Sequence, residues 1–196
     1  MSGVANELVE LNDMVRCMPV DKRCRALGEI GNLLVQMADH CRPEHLEVFS
    51  NILGALVVGA DSGTLAALSR HLAPMTNAPI ELIERLALDD DIAVAEPLLM
   101  QSCCISDEVL CNIAHAKSQS HQLAIACRSR LSATVTESLL NAGEAVVLRY
   151  VANNQGAEFS DAGVRLLAKA SARDGALATL ISQRGSLQRA LPEHDS

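Results

Sequence analysis

Cys111 and His115 stand four residues apart, so on a helix they share one face, and His121 and Cys127 follow in the next segment. Two thiolates and two imidazoles are a tetrahedral zinc ligand set. Their spacing matches no zinc-binding pattern, however. Within the chain's own repeats, Cys111 falls where Glu84 and Glu137 stand, positions expected to face solvent. His121 falls where Val94 and Val147 stand, positions expected to face inward. Four side chains on opposite faces do not converge, so no metal ligand is assigned. Cys103 and Cys104 are adjacent, and neighbouring side chains are expected on different sides of a helix or turn, which argues against a redox pair. The remaining cysteines, Cys17 and Cys24 among them, read as small core residues.

Asp89, Asp90 and Asp91 form the densest acidic cluster. Calcium draws six or more oxygens from an ordered loop with a distal acid, and no such pattern follows; a helix N-cap explains the run better. The chain has no GxSxG elbow, no HExxH and no Cys–His pair in a Gly-rich loop, and Gly28 and Gly31 lie inside a helix rather than a phosphate-binding turn. No catalytic or cofactor-binding residue is therefore assigned, and no cofactor is expected. Arg128, Arg130 and Arg149 are read as a solvated rim, and also as the best candidates for recognising an acidic partner segment.

The elements that must position these residues recur. Segments opening at Pro79, Ser106, Ser132 and Ser160 repeat every 26 to 28 residues. Leu86, Ile113, Leu139 and Leu167 share one offset; Leu98, Ile125, Val151 and Thr179 share another. A unit this short cannot bury its own apolar face, so neighbouring units must share a core. Each repeat reads as two short helices. Ser106, Ser132 and Ser160 act as N-caps, and the second helices span about Ile92–Gln101, Gln119–Ser129, Glu144–Asn153 and Gly175–Arg184. Asn141–Gly143 and Asn153–Gly156 are helix stops built from residues that tolerate left-handed backbone. Pro97 falls inside a helix, which it should bend.

Before the repeats, residues 1–78 read as a helical region of about four helices: Val4–Cys17, Asp21–Cys41, Glu44–Val58 and a fourth ending near Ala73. In the second, Cys24, Leu27, Gly31, Leu34, Ala38 and Cys41 form the apolar stripe, and its two glycines suggest a close helix–helix approach. Residues 79–187 hold the repeats, and 188–196 read as a frayed tail. Apolar Leu177, Leu180 and Ile181 near the last repeat's end suggest an open stack end that invites a second copy of the chain.

Composition agrees with helices. Leu and Ala supply 28 residues each of 196, while Phe49, Phe159 and Tyr150 are the only aromatics. Sheets lean on aromatic and β-branched residues, so the expectation is an all-α fold. The formal charge is −8, and residues 1–100 carry the excess, with 7 Lys/Arg against 15 Asp/Glu. Such a surface repels a phosphate backbone, so nucleic acid is not an expected partner. The longest apolar run, Ile52–Ala60, is about half the 18 or so residues a membrane span needs, so no membrane is expected either. The opening residues lack a basic segment followed by an apolar one, so no secretory signal is expected, and seven cysteines then read as reduced thiols in the cytoplasm.

The stretches Leu86-ALDDDIAVAEPLL-Met100, Ser106-DEVL, Lys117-SQSHQLAIACRSRLS-Ala133 and Val151-ANNQGAEFSDAG-Val164 resemble a bacterial family of helical-repeat proteins of unknown function, frequent in alphaproteobacteria and treated as HEAT-like. The resemblance spans residues 21–187 and is most specific over 79–168. It implies stacked helix pairs in a cytoplasmic bacterial protein, and no reaction, cofactor or catalytic residue. Many members are longer, so the resemblance implies a short form lacking a further C-terminal region as an expectation.

The expected architecture is an all-α, HEAT-like α-solenoid of stacked helix pairs, an α-α superhelix. The expected function is a non-enzymatic scaffold or adaptor for a protein partner. Its surface is placed on the second helices around Gln119, Gln122, Arg128, Arg149 and Asn153. Two alternatives are a metal- or thiol-dependent enzyme or redox sensor using the Cys/His group, and a HEAT-like nucleic-acid-binding protein.

Overall fold

A computed structural model describes residues 18–37 and 42–184. The helix expected over Val4–Cys17, Ala38 and Cys41 of the second helix's stripe, and the tail lie outside the described residues. Among the described residues there are eleven helices and no strand. The chain divides into two compact units, residues 1–105 and 106–196, with the boundary at the start of the repeat that opens on Ser106. No helix among the described residues is long and apolar enough to cross a membrane.

The N-terminal unit holds α1 (Val20–Met37), α2 (Pro43–Val57), α3 (Ser62–Leu72), α4 (Ile80–Ala87) and α5 (Ile92–Gln101). Helices α1, α3 and α5 pack side by side, and α2 and α4 lie against one another beside them. In α1, Leu27, Gly31 and Leu34 recur at helical spacing and are buried. The two glycines of that helix differ. A Cβ on Gly31 would lie 2.7 Å from a methyl of Leu68, so Gly31 permits α1 and α3 to approach, whereas nothing lies within 4 Å of a Cβ on Gly28. Pro43 opens α2, where its fixed φ suits the first turn. Gly59, at φ +75°, ends that segment in the left-handed region that glycine tolerates. Asp61 caps α3, accepting from the Thr64 amide at 2.9 Å, and Asp91 caps α5, accepting from the Ala93 amide at 3.0 Å. Pro97 lies inside α5, as the sequence indicates.

The C-terminal unit holds α6 (Asp107–Ala116), α7 (Gln119–Ala126), α8 (Ala133–Ala142), α9 (Ala145–Asn153), α10 (Asp161–Ser171) and α11 (Gly175–Gln183). First helices α6, α8 and α10 form one layer and second helices α7, α9 and α11 the other. The three N-cap serines behave as their positions predict: Ser106, Ser132 and Ser160 accept from the amides of Val109, Val135 and Gly163. Ile113, Leu139 and Leu167, and likewise Ile125 and Val151, are all buried.

Three expectations need correction. Thr179 does not share the buried offset of Ile125 and Val151; it is exposed, and Leu177 and Ile181 are buried instead. Helix α10 runs one residue longer than α6 and α8, and the turn after it is a residue longer too, which moves the inward face of α11 by two positions. Of the three apolar residues near the end of the last repeat, Leu177 and Ile181 are buried and Leu180 is half-buried. Second, α7 ends at Ala126 rather than Ser129, placing Arg128 in the following turn. Third, neither Asn141–Gly143 nor Asn153–Gly156 contains left-handed backbone. Their glycines serve close approach instead: a Cβ on Gly143 would lie 2.6 Å from the Leu139 carbonyl oxygen, and one on Gly156 only 1.9 Å from that of Ser129. There the chain makes an isolated parallel bridge, Leu131 with Ala157, donating from Leu131 N to Gly156 O at 3.1 Å and from Glu158 N to Leu131 O at 2.9 Å.

Candidate partner-binding surface

The second helices α7, α9 and α11 lie side by side, and two polar links of one kind join them. Gln119, the first residue of α7, donates from Nε2 to the carboxylate of Glu144 at 2.9 Å, and Glu144 is the N-cap residue of α9. One repeat later, Arg149 of α9 donates from Nε to the carboxylate of Asp174 at 2.8 Å, and Asp174 caps α11 by accepting from the amides of Ala176 and Leu177. The Arg149 guanidinium beside it holds the Asp174 carboxyl below the usual carboxylate range, with the Leu177 amide adding to the effect.

Beyond these links, α9 presents an outward face. Val146, Arg149, Tyr150 and Asn153 follow the 3-4 spacing of one helical stripe and are all exposed, Val146 by 41% and Tyr150 by 50%. Tyr150 is the chain's single tyrosine. It and Val146 lie outside the polar set expected from the sequence, although their i, i+3 and i+4 spacing along the helix marks the same stripe as Arg149. Gln122 is a correction. It is buried, 7% exposed, and donates from Nε2 to the Ala114 carbonyl at 2.8 Å. That carbonyl belongs to the last turn of α6, where no intrahelical partner exists, so Gln122 serves the helix end and not the surface. Gln119 is half-buried, Arg128 half-buried in the turn after α7, and Asn153 exposed at the end of α9.

Two residues that the sequence reading passed over hold the far ends of these helices. Asn154, the C-cap residue of α9, donates from Nδ2 to the carbonyls of Ala126 and Arg128, each at 2.7 Å, and accepts from the Gly156 amide at 2.8 Å. Arg184 occupies the equivalent position after α11 and repeats the device. Its guanidinium donates to the carbonyls of Ala152 and Ala157 at 3.2 and 2.8 Å and lies 4.9 Å from the ring centre of Phe159. Burial lowers the pKa of this guanidinium. Their shared C-cap position was the available signal.

On the other layer, Cys111, Thr134, Glu137, Ser138, Asn141 and Ser160 line a groove of about 410 Å³. His115 Nδ1 lies 2.9 Å from both the Cys111 carbonyl and the Ser138 hydroxyl. A carbonyl only accepts, so the Cys111 contact is one made by the Nδ1–H tautomer, in which the Ser138 hydroxyl oxygen accepts as well. His121 is buried, its Nδ1 2.8 Å from the Ser118 hydroxyl, while Cys127 is exposed. Among the described residues no three His, Cys, Asp or Glu side chains stand where they could hold one metal ion.

In the N-terminal unit, Asp91 is the member of the acidic run that caps a helix. Its backbone amide donates to Asp89 at 2.9 Å and its carboxylate accepts from the Ser62 hydroxyl, which lowers its pKa. Cys103 and Cys104 depart from expectation: both thiols are directed at one oxygen, the Met75 carbonyl.

Comparison with the curated proteins and with the solved structures finds no match. The profile of a bacterial family matches residues 94–193, which include all of the C-terminal unit's helices, and on that match the chain belongs to the family described as an uncharacterised protein conserved in bacteria (DUF2336).

Proposed function

We propose that this chain is a HEAT-like helical-repeat scaffold of the bacterial cytoplasm that binds a protein partner through its second helices and performs no reaction of its own. The observation that carries the reading is the outward face of α9, where Val146, Arg149, Tyr150 and Asn153 stand in one stripe. Tyrosine and arginine are the residue types that dominate binding energy at protein interfaces, and an exposed tyrosine beside an aliphatic neighbour offers large contact area at low entropic cost. Arg149 is already paired with Asp174, so the apolar pair Val146 and Tyr150 leads recognition and the charges set orientation. Paired helices in two layers support the solenoid reading, since such stacks expose one continuous side for binding.

The test is affinity capture from the native host with the wild-type chain and with Val146→Ser/Tyr150→Ala. The double variant should keep its stability within about 1 kcal/mol, as exposed substitutions do, and should lose the captured partner. Unchanged capture, with loss on altering Asp89–Asp91 instead, places the surface elsewhere and overturns the assignment.

A further inference from the structure

The turn leaving α5, residues 102–105, folds back on the segment between α3 and α4, where Met75 is buried. Cys104 Sγ lies 3.4 Å from the Met75 carbonyl oxygen and Cys103 Sγ 3.9 Å from the same atom. A carbonyl oxygen has two lone pairs, so it can receive both weak S–H donors. Two sulfurs that reach one oxygen stand on the same side of the turn, contrary to the alternation expected of neighbouring side chains. The Ser102 hydroxyl steadies the arrangement by accepting from the Cys104 amide at 3.2 Å. The two thiols differ in access: Cys103 is exposed and Cys104 is half-buried.

We propose that Cys103 and Cys104 form a reversible thiol–disulfide site, in which Cys103 attacks a low-molecular-weight disulfide and Cys104 resolves the product. The Cys103 thiolate attacks one sulfur of the oxidant; a Cys103–S–S–R bond forms, the oxidant's own S–S bond breaks, and one thiolate leaves. Cys104 then attacks the Cys103 sulfur, forming the intramolecular S–S bond and expelling the second thiolate. The two protons lost by the cysteines end on the two released thiols. The protein pair is oxidised by two electrons and the small disulfide is reduced by two.

Access assigns the order. The exposed thiol meets the oxidant, while burial, which also pushes the Cys104 thiol up, keeps Cys104 from reacting first. Adjacent Cα atoms sit about 3.8 Å apart, closer than the roughly 4.4 Å at which ordinary disulfides begin. The closed ring is therefore strained and readily reduced, the character of a labile, regulatory bond rather than a structural one. Closing it removes both S–H donors from the Met75 carbonyl and loosens the turn from the segment beneath it.

Oxidised glutathione is the probe, read by intact mass and peptide mapping of the full chain. The wild type should lose two hydrogen masses in the peptide holding Cys103 and Cys104, and dithiothreitol should restore them. Cys104→Ala should stop at a stable glutathione adduct on Cys103, and Cys103→Ser should leave Cys104 unmodified over the same time. Circular dichroism establishes that both variants keep the wild-type helical content. A wild-type chain that stops at the same adduct as Cys104→Ala, or a Cys103→Ser chain modified at Cys104 as fast as the wild type, overturns the proposal. So does a pair that stays reduced while Cys111 or Cys127 reacts.

Discussion

Arg149 Nε lies 2.8 Å from the carboxylate of Asp174, and the same carboxylate caps α11. One side chain thus joins α9 to the start of the neighbouring second helix. Arg149 is 43% exposed and Asp174 13%, so the pair is open to solvent on one side. Arg149→Ala is expected to cost no more than about 1 kcal/mol, the range of exposed ion pairs. Arg149→Glu should cost more than Arg149→Ala, because it sets two carboxylates against one helix start. Urea unfolding of the two variants checks the order.

Asp61, Asp91 and Asp174 are all N-caps, and all three have lowered pKa values. Hydrogen bonds from Thr64 and Cys24 lead at Asp61, Ser62 at Asp91 and Arg149 at Asp174. The unfolded chain binds these protons near pH 3.9, roughly the ordinary Asp value, before the folded chain does. Their contribution to stability is therefore complete above that pH and disappears as pH falls through the lower folded values. Acid unfolding should steepen below about pH 4. Asn at all three caps keeps the hydrogen bonds to the backbone and should flatten that dependence; an unchanged acid limb would show that other groups govern it.

Asn154→Ala removes donors from two carbonyls and an acceptor from the Gly156 amide, and should cost on the order of 2 kcal/mol. Gly156→Ala drives a methyl into the Ser129 carbonyl and should cost about 3 kcal/mol. Gly28→Ala meets nothing and removes the helix penalty of glycine, so it should stabilise by about 0.5–1 kcal/mol. Denaturant midpoints at constant m separate the three.

Gln122 and Tyr150 should part company in one experiment. Gln122→Ala leaves the Ala114 carbonyl unsatisfied and is expected to cost about 1–3 kcal/mol without altering partner capture at a temperature where the variant is folded. Tyr150→Ala should do the reverse.

Thr136 Oγ1 is buried in α8 with no hydrogen-bond partner among the described residues. Thr136→Val keeps the shape and removes a desolvated hydroxyl, so a gain of about 1 kcal/mol is expected. A loss on thermal unfolding would show that the hydroxyl is in fact satisfied.

The helical class, the pairing of elements and most helix starts are legible in the residues alone. These depend on local physics: Leu and Ala at helical spacing, and Ser or Asp placed to receive an otherwise unpaired amide. The buried positions Ile113, Leu139 and Leu167 followed from one repeating offset because each repeat meets the same neighbours. Tertiary structure decided what depends on two distant segments meeting. The two-position shift of α11 arose from small length differences summed across a helix and a turn, which no offset table carries. Gly156 and Gly143 answer to a backbone passing nearby, not to their own φ. Gln122 looked like surface because polarity is visible in sequence and the unpaired carbonyl it serves is not. Cys103 and Cys104 were separated by the alternation rule, which holds in regular elements; in the turn after α5 the backbone bends and brings both thiols to the Met75 carbonyl. Local propensity sets the elements, and only packing sets which polar groups remain for chemistry or for a partner.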